Sequence, residues 1–162
     1  MSVLSYLRAA ALTLGVMLAG AGAAQAISIT PVKTPAGIEA WLVEDHSLPV
    51  IAIEFSFDGG AALDPPGQEG RANLAVDLLD EGAGDLDAQA YKRRLEDLAI
   101  RLEFSAGMDS VGGSMRTLAA NADAAFDLLR LALASPRFDP AAIERVKSQL
   151  EAELREEAES AR

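Results

Sequence analysis

Apolar and polar residues alternate in three segments near the start of the chain, which is the two-residue period of a half-buried β-strand. These segments are Ile27–Val32, Ile38–Glu44 and Val50–Asp58. The third is the clearest, because every second residue of Ile51–Phe57 is a large apolar one. The loop Gly59–Gly70 follows, and it is too rich in glycine and proline to continue a strand or a helix. The pattern therefore predicts three strands and then a long irregular connection.

The spacing of apolar residues changes to three and four positions in later segments, which is typical of amphipathic helices. It predicts helices over Arg71–Glu81, Asp87–Ala99 and Asn121–Ala134, and a last one starting at Asp139-Pro140. Asp87 and Asp139 are the predicted caps of the second and last helices, because Asp suits the position before a helix, and Pro140 suits the first turn. In the first of these helices, the predicted buried face consists of Leu74, Ala75, Leu78 and Leu79.

Two further strands are predicted between the second and third helices, at Arg101–Met108 and Ser110–Leu118. Gly112-Gly113 inside the second strand indicates either a bulge or a close approach of another backbone. The resulting order, three strands, two helices, two strands and two helices, predicts the α+β class. We expect an antiparallel or mixed sheet with helices packed on one face.

The first 26 residues differ from the rest and have the features of a secretory signal peptide. A single charge, Arg8, precedes an apolar run rich in Ala and Gly, which ends in Ala24-Gln25-Ala26. We expect cleavage after Ala26, export to the periplasm, and no stable membrane insertion after cleavage. The alternative is an uncleaved membrane anchor, for which the run is short. Residues 27–162 then form the mature domain.

Charge and composition restrict the chemistry of this domain. The formal net charge is −11, which argues against nucleic acid or an anionic membrane surface as a partner. The absence of Cys excludes disulfides, thiol nucleophiles and thiolate metal sites, and a single His excludes any site that needs two imidazoles from this chain.

The stretch Phe55–Gly82 resembles the entry to the active-site helix of pitrilysin/insulinase-type zinc metallopeptidases, the inverted zincins. In that family a strand ends in a Gly turn, and a Pro/Gly loop leads into a helix that carries His-x-x-Glu-His. The two His bind Zn²⁺, and the Glu polarises the attacking water. The resemblance extends over Ile29–Leu154 and includes Glu144-Arg145-x-Lys147, which is similar to the helix that carries the family's third ligand.

The resemblance also shows what is missing. The first His position falls on Asn73, the Glu position on Val76 and the second His position on Asp77, while Glu153 stands at the position of the third ligand. Asn is a weak ligand for zinc, Val cannot accept a proton, and two carboxylates are too few for a catalytic site with three protein ligands. We therefore predict no catalytic residue, no metal site and no cofactor in this chain.

The resemblance implies the fold of a peptidase-like αβ half-domain and a function without catalysis. Exported bacterial members often work as pairs, in which a subunit without the motif helps a zinc-bearing subunit to enclose a peptide. The chain is similar to the N-terminal part of such a non-catalytic subunit, and we expect residues 27–162 to be an incomplete domain. Two alternatives stay open: a solitary periplasmic binding or scaffold protein, and an active metallopeptidase with unusual ligands.

Two weaker candidates remain. In catalytic members a strand pairs with the peptide, and its counterpart here is Glu103–Gly107 (Glu103, Phe104, Ser105, Ala106 and Gly107), which is also explained as an ordinary sheet strand. Asp77, Asp80, Glu81 and Asp85 lie near one helix end but lack the spacing of a calcium loop, so we interpret them as a solvated acidic face.

Overall fold

The computed structural model describes residues 28–160, and the chain divides into two compact units, with the boundary between His46 and Ser47. The first unit contains an antiparallel hairpin of β1 (Ile29–Lys33) and β2 (Glu39–Val43). Its turn is closed by Thr34, whose hydroxyl accepts a hydrogen bond from the Ile38 N–H at 3.1 Å. The predicted signal segment lies outside the described residues.

The second unit contains the remaining strands and helices. In chain order these are β3 (Val50–Asp58), α1 (Arg71–Asp77), β4 (Gly82–Ala83), β5 (Leu86–Asp87), α2 (Ala88–Asp97), β6 (Arg101–Ala106), β7 (Ser110–Leu118), α3 (Ala122–Ala134) and α4 (Pro140–Ser160), with single 3-10 turns at Ala61–Leu63 and Ala119–Asn121. β3, β7 and β6 form an antiparallel sheet in that order, and β4 pairs with β5.

The main core lies between this sheet and the helices α2 and α3. Ile53, Met115 and Leu102 are cross-strand neighbours, so their side chains share one sheet face. These three pack with buried residues of α2 and α3. Within this core Tyr91 is completely buried, and its hydroxyl donates a hydrogen bond to the Leu128 carbonyl at 2.8 Å. The predicted α+β class, with an antiparallel sheet and helices packed on one face, is confirmed.

A smaller cluster joins α1 to α4 through the buried side chains of Leu78, Ala142 and Val146. The predicted helix Arg71–Glu81 is too long, because α1 ends at Asp77. Beyond it the chain forms tighter turns, in which the Leu79 N–H donates to the Val76 carbonyl and the Glu81 N–H donates to the Leu78 carbonyl. This tightening lets the chain enter β4. The predicted apolar face of α1 is also partly wrong, since Ala75 is exposed and Val76 is buried.

Gly112 and Gly113 lie in β7 without a bulge, because the pairing with β3 and β6 continues through both residues. A Cβ on Gly112 would lie 2.4 Å from the Phe55 carbonyl oxygen, and one on Gly113 would lie 2.4 Å from the Glu103 carbonyl oxygen. Of the two interpretations, a close backbone approach is therefore correct.

Several other predicted bounds shift by a few residues. The strand predicted over Ile38–Glu44 is shorter at both ends, and the one predicted over Arg101–Met108 ends at Ala106, because Gly107 already belongs to the turn that precedes β7. No helix in the described part of the chain is both long and apolar enough to cross a bilayer.

Candidate functional site

The start of α1 is fixed by a side chain from the preceding loop. Asp64 accepts two backbone hydrogen bonds, from the Gly70 N–H to Oδ2 at 2.8 Å and from the Ala72 N–H to Oδ1 at 3.0 Å. A carboxylate here satisfies N–H groups that the first helical turn leaves without partners and is favoured by the helix dipole. The loop is thereby folded back onto α1, and this fixes where Asn73 lies.

Asn73 and Glu153 line one groove between α1 and α4, with a volume of about 720 Å³. Asn73 is half-buried and Glu153 is exposed. Two of the four positions that the resemblance singled out are therefore brought together by the packing of α4 against α1.

Asp77 lies one helical turn after Asn73, so the two residues share a face of α1. Partial burial raises the pKa of the Asp77 carboxyl, and the negative charge of Glu153 raises it further. Neither carboxylate forms an ion pair with another of the described residues. Asp77 thus lies close enough to Glu153, which lines the groove, for the two carboxylates to repel each other.

Val76 is 6% exposed and presents only an apolar side chain at the position where the resemblance places a proton acceptor. Asn73, Asp77 and Glu153 together supply oxygen atoms but no imidazole. Between residues 28 and 160 no group of three or more His, Cys, Asp or Glu residues is arranged to hold a metal ion. The position where the resemblance places the general base therefore carries a side chain that cannot accept a proton.

The candidate peptide-binding strand coincides with β6 and lies at one edge of the three-stranded sheet. Glu103, Phe104, Ser105 and Ala106 belong to β6, whereas Gly107 lies in the following turn. Phe104 packs against the core, and Glu103 and Ser105 line a shallow basin of about 520 Å³ on the sheet. An edge strand offers backbone groups for an added strand. Binding of a peptide there stays a prediction.

The acidic residues after α1 are not simply a solvated face, and the interpretation is wrong for Glu81. Its side chain is 7% exposed and accepts hydrogen bonds from Lys92 of α2, at 2.6 Å, and from Arg145 of α4. Burial raises the pKa of Glu81, but the bonds and charges of Lys92 and Arg145 outweigh burial and lower it overall. This buried carboxylate ties α2 and α4 to the end of α1.

The apolar periodicity did not predict this network, although the sequence contains a signal for it. Glu81 precedes Gly82 at the end of a helical pattern, and Arg145 and Lys92 each lie next to an apolar core position of their helix. A side chain in such a place can cover the rim of a core while its charge finds a partner.

This chain is similar to known proteins, although no protein-family model matches it. The chain is 34% identical over 111 residues to a protein named non-peptidase homolog YmxG from Helicobacter pylori (strain ATCC 700392 / 26695), a match that covers 68% of this chain and 26% of that protein. The crystal structure of the peptidase M16 inactive domain from Pseudomonas fluorescens superimposes with a TM-score of 0.71 and 26% identity, over 76% of this chain and 30% of that one.

The chain has the fold of the M16 inactive domain. M16 is the family of the pitrilysin/insulinase-type peptidases, so the α+β fold expected from the resemblance is confirmed. One relative is named a non-peptidase homolog and the other an inactive domain, which agrees with the side chains at positions 73, 76 and 77. The chain spans less than a third of the length of either relative. The M16-like fold therefore concerns one portion of such proteins.

Proposed function

We propose that this chain is part of a non-catalytic M16-like subunit that pairs with a homologous, zinc-bearing subunit and helps to enclose a peptide substrate. The observation that carries the proposal is α1, which presents Asn73, Val76 and Asp77 where a peptidase needs its ligands and its base. A chain that has the M16-like fold but lacks the residues of the zinc site is suited to a role in binding and assembly.

The contacts of α1 support this interpretation, because both ends of the helix are held in place although it carries none of the zinc ligands. Asp64 caps its start, Glu81 anchors its end to Lys92 and Arg145, and Leu78 packs on α4. These contacts hold one wall of the groove in place without any metal. Such a wall suits a subunit that shapes a chamber.

Zinc is expected in the partner subunit rather than in this chain. In the proposed pair, the partner's metal would polarise the scissile carbonyl and activate water. The residues of this chain would contribute surface and charge around the peptide, through the α1/α4 groove and the edge of β6.

We also propose that the protein is exported to the periplasm after cleavage behind Ala26. The support is the apolar run that ends in Ala24-Gln25-Ala26. The mass and N-terminal sequence of the protein recovered from a periplasmic fraction test this. A chain that starts at Ile27 agrees with the proposal, whereas an intact N-terminus in the membrane fraction contradicts it.

Co-purification tests the pairing. The full-length protein, tagged, is co-expressed with a homologue encoded next to it that carries His-x-x-Glu-His, and the complex is assayed for cleavage of a quenched fluorescent peptide library. We expect a stable complex whose activity is lost when the partner's motif Glu is changed to Gln. The matched control is Asp123→Asn on the exposed part of α3 in this chain, which should leave the activity of the complex within about twofold, since Asp123 lies outside the groove.

Absence of any complex would contradict the proposal and favour a solitary binding protein. Peptidase activity of this chain alone would also contradict the proposal, and it would favour an active metallopeptidase with unusual metal ligands.

A further inference from the structure

The apolar seam of α4 continues beyond the part that α1 covers. Ala142 and Val146 are buried, Leu150 is half-buried, and Leu154, one turn further on the same face, is 65% exposed. Leu74 of α1 lies beside Leu150 and Leu154 in the groove. These three leucines form an apolar floor in the groove, of which Leu154 is the exposed part.

The rim of this groove carries more acidic than basic groups. Glu69, Glu151 and Glu153 line it, together with Arg71 and Lys147. Asp77 of α1 is close enough to Glu153 for the two negative charges to interact. Glu151 on the rim forms an ion pair with Arg155. Asp77 and Glu153 form no ion pair with another of the described residues. The whole chain also has a formal net charge of −11, so the groove favours a cationic occupant.

We propose that the α1/α4 groove binds a peptide segment in which a large apolar side chain is followed or preceded by Lys or Arg. The apolar side chain would lie on Leu74, Leu150 and Leu154, and the cation would lie beside Glu153 on the rim of the groove. The segment belongs to the peptide substrate, so the inference rests on the proposed chamber function and names the chemistry of what the chamber accepts.

The charge of the chain also decides between occupants. A second copy would bring the same acidic rim and a net charge of −11 against it, which costs free energy on association. A basic segment removes the repulsion between Asp77 and Glu153 instead of adding to it.

Binding of labelled peptides to the full chain tests the inference. Three fluorescein-labelled peptides of equal length are compared by fluorescence anisotropy: one that combines Leu and Arg, one with Ser in place of Leu, and one with Glu in place of Arg. We expect the first to bind and each of the others to bind at least about tenfold more weakly, since one loses the apolar contact and the other the charge match.

Variants locate the site. Leu154→Ser should weaken binding of the Leu/Arg peptide by about fivefold to tenfold, and it is tolerated because Leu154 is exposed. The control Leu133→Ser removes an equally large, exposed leucine from α3 and should leave binding unchanged. The double variant Asp77→Asn with Glu153→Gln should weaken binding about threefold to tenfold, and the effect should be smaller at high salt. The control Glu156→Gln, on the exposed part of α4, should leave binding unchanged.

The inference is overturned if none of the peptides binds, if the Glu peptide binds as tightly as the Arg peptide, or if Leu154→Ser and Leu133→Ser behave alike. Each of these outcomes is separable from failure of the proposed pairing, because binding is measured without a partner subunit. If the inference fails but the proposed pairing is correct, the Leu154→Ser variant still forms the complex with the partner subunit.

Discussion

Asn73 on α1 and Glu153 on α4 line the same groove, and Asp77 lies one turn beyond Asn73 on the same helix face. The packing of α4 against α1 thus brings Asn73 and Glu153 into one groove, and the side chains at the three positions include no imidazole. Whether the scaffold or the side chains prevent metal binding is therefore open to direct experiment.

We predict that Asn73→His combined with Asp77→His creates a zinc site. Two imidazoles at i and i+4 with the Glu153 carboxylate complete a set of three protein ligands. Calorimetry should give a dissociation constant of about 1 μM or tighter, where the unchanged chain shows no binding.

The matched control adds Glu153→Gln to the two substitutions and should weaken zinc binding at least about tenfold. Equal affinity with and without Glu153 would mean that α4 does not present this residue to α1 as the groove indicates.

Arg145 is predicted to stabilise the fold through Glu81. Arg145→Met leaves the buried Glu81 carboxylate with Lys92 as its one remaining cation among the described residues, so the free energy of unfolding should fall by about 1–3 kcal/mol. Urea denaturation measures this. Arg155→Met, which breaks the exposed pair with Glu151, is the control and should cost less than about 0.5 kcal/mol. Similar losses for the two variants would contradict a buried network.

The pH dependence of stability should differ in sign between Glu81 and Asp80. The pKa of Glu81 is lowered in the fold, so its contribution to stability is present above the pKa of the unfolded chain and is lost as the pH falls through the folded value. The pKa of Asp80 is raised, mainly by burial, so its charged form destabilises the fold and this cost disappears on acidification.

Asp80→Asn is therefore expected to raise the free energy of unfolding at neutral pH, by an amount that shrinks as the pH falls through the folded pKa of Asp80 and vanishes below the pKa of the unfolded chain. Glu81→Gln should instead lower it at neutral pH and flatten the loss of stability in acid. Denaturation series between about pH 3 and 7 measure both variants. The same pH profile for both would contradict the opposite environments of these neighbouring carboxyls.

Gly112→Ala is predicted to destabilise the central strand by about 2–4 kcal/mol, because the added Cβ would lie 2.4 Å from the Phe55 carbonyl oxygen and neither strand can move apart without breaking the sheet. The control is Gly107→Ala in the adjoining turn, where the nearest atom lies at 3.6 Å. Thermal unfolding compares the two. A neutral Gly112→Ala would mean that β3 and β7 are not in close contact at this residue.

Local pattern was sufficient where it persisted over many residues. The alternation in β3 predicted its bounds, Val50–Asp58, without error, and β7 was predicted over Ser110–Leu118 in the same way. Asp87 was predicted to cap α2, and its side chain accepts the Ala90 N–H at 2.8 Å. Such features depend on neighbours in sequence, so the sequence alone contains the signal.

Features that depend on distant residues were missed. β4 and β5 have two residues each, too few to show a period. The cap that Asp64 supplies to α1 and the burial of Glu81 depend on how the loop and α4 fold onto α1. The groove with its exposed Leu154 likewise arises from the length by which α4 passes α1, which no local pattern records.

The central claim is that this chain keeps the M16 fold without the zinc chemistry. Zinc content of the purified full-length protein, measured by mass spectrometry after equilibration with zinc and removal of the excess, tests it most directly. We predict less than about 0.1 zinc per chain and no peptide hydrolysis. About one zinc per chain, with hydrolysis that a chelator abolishes and Glu153→Gln impairs, would contradict the claim.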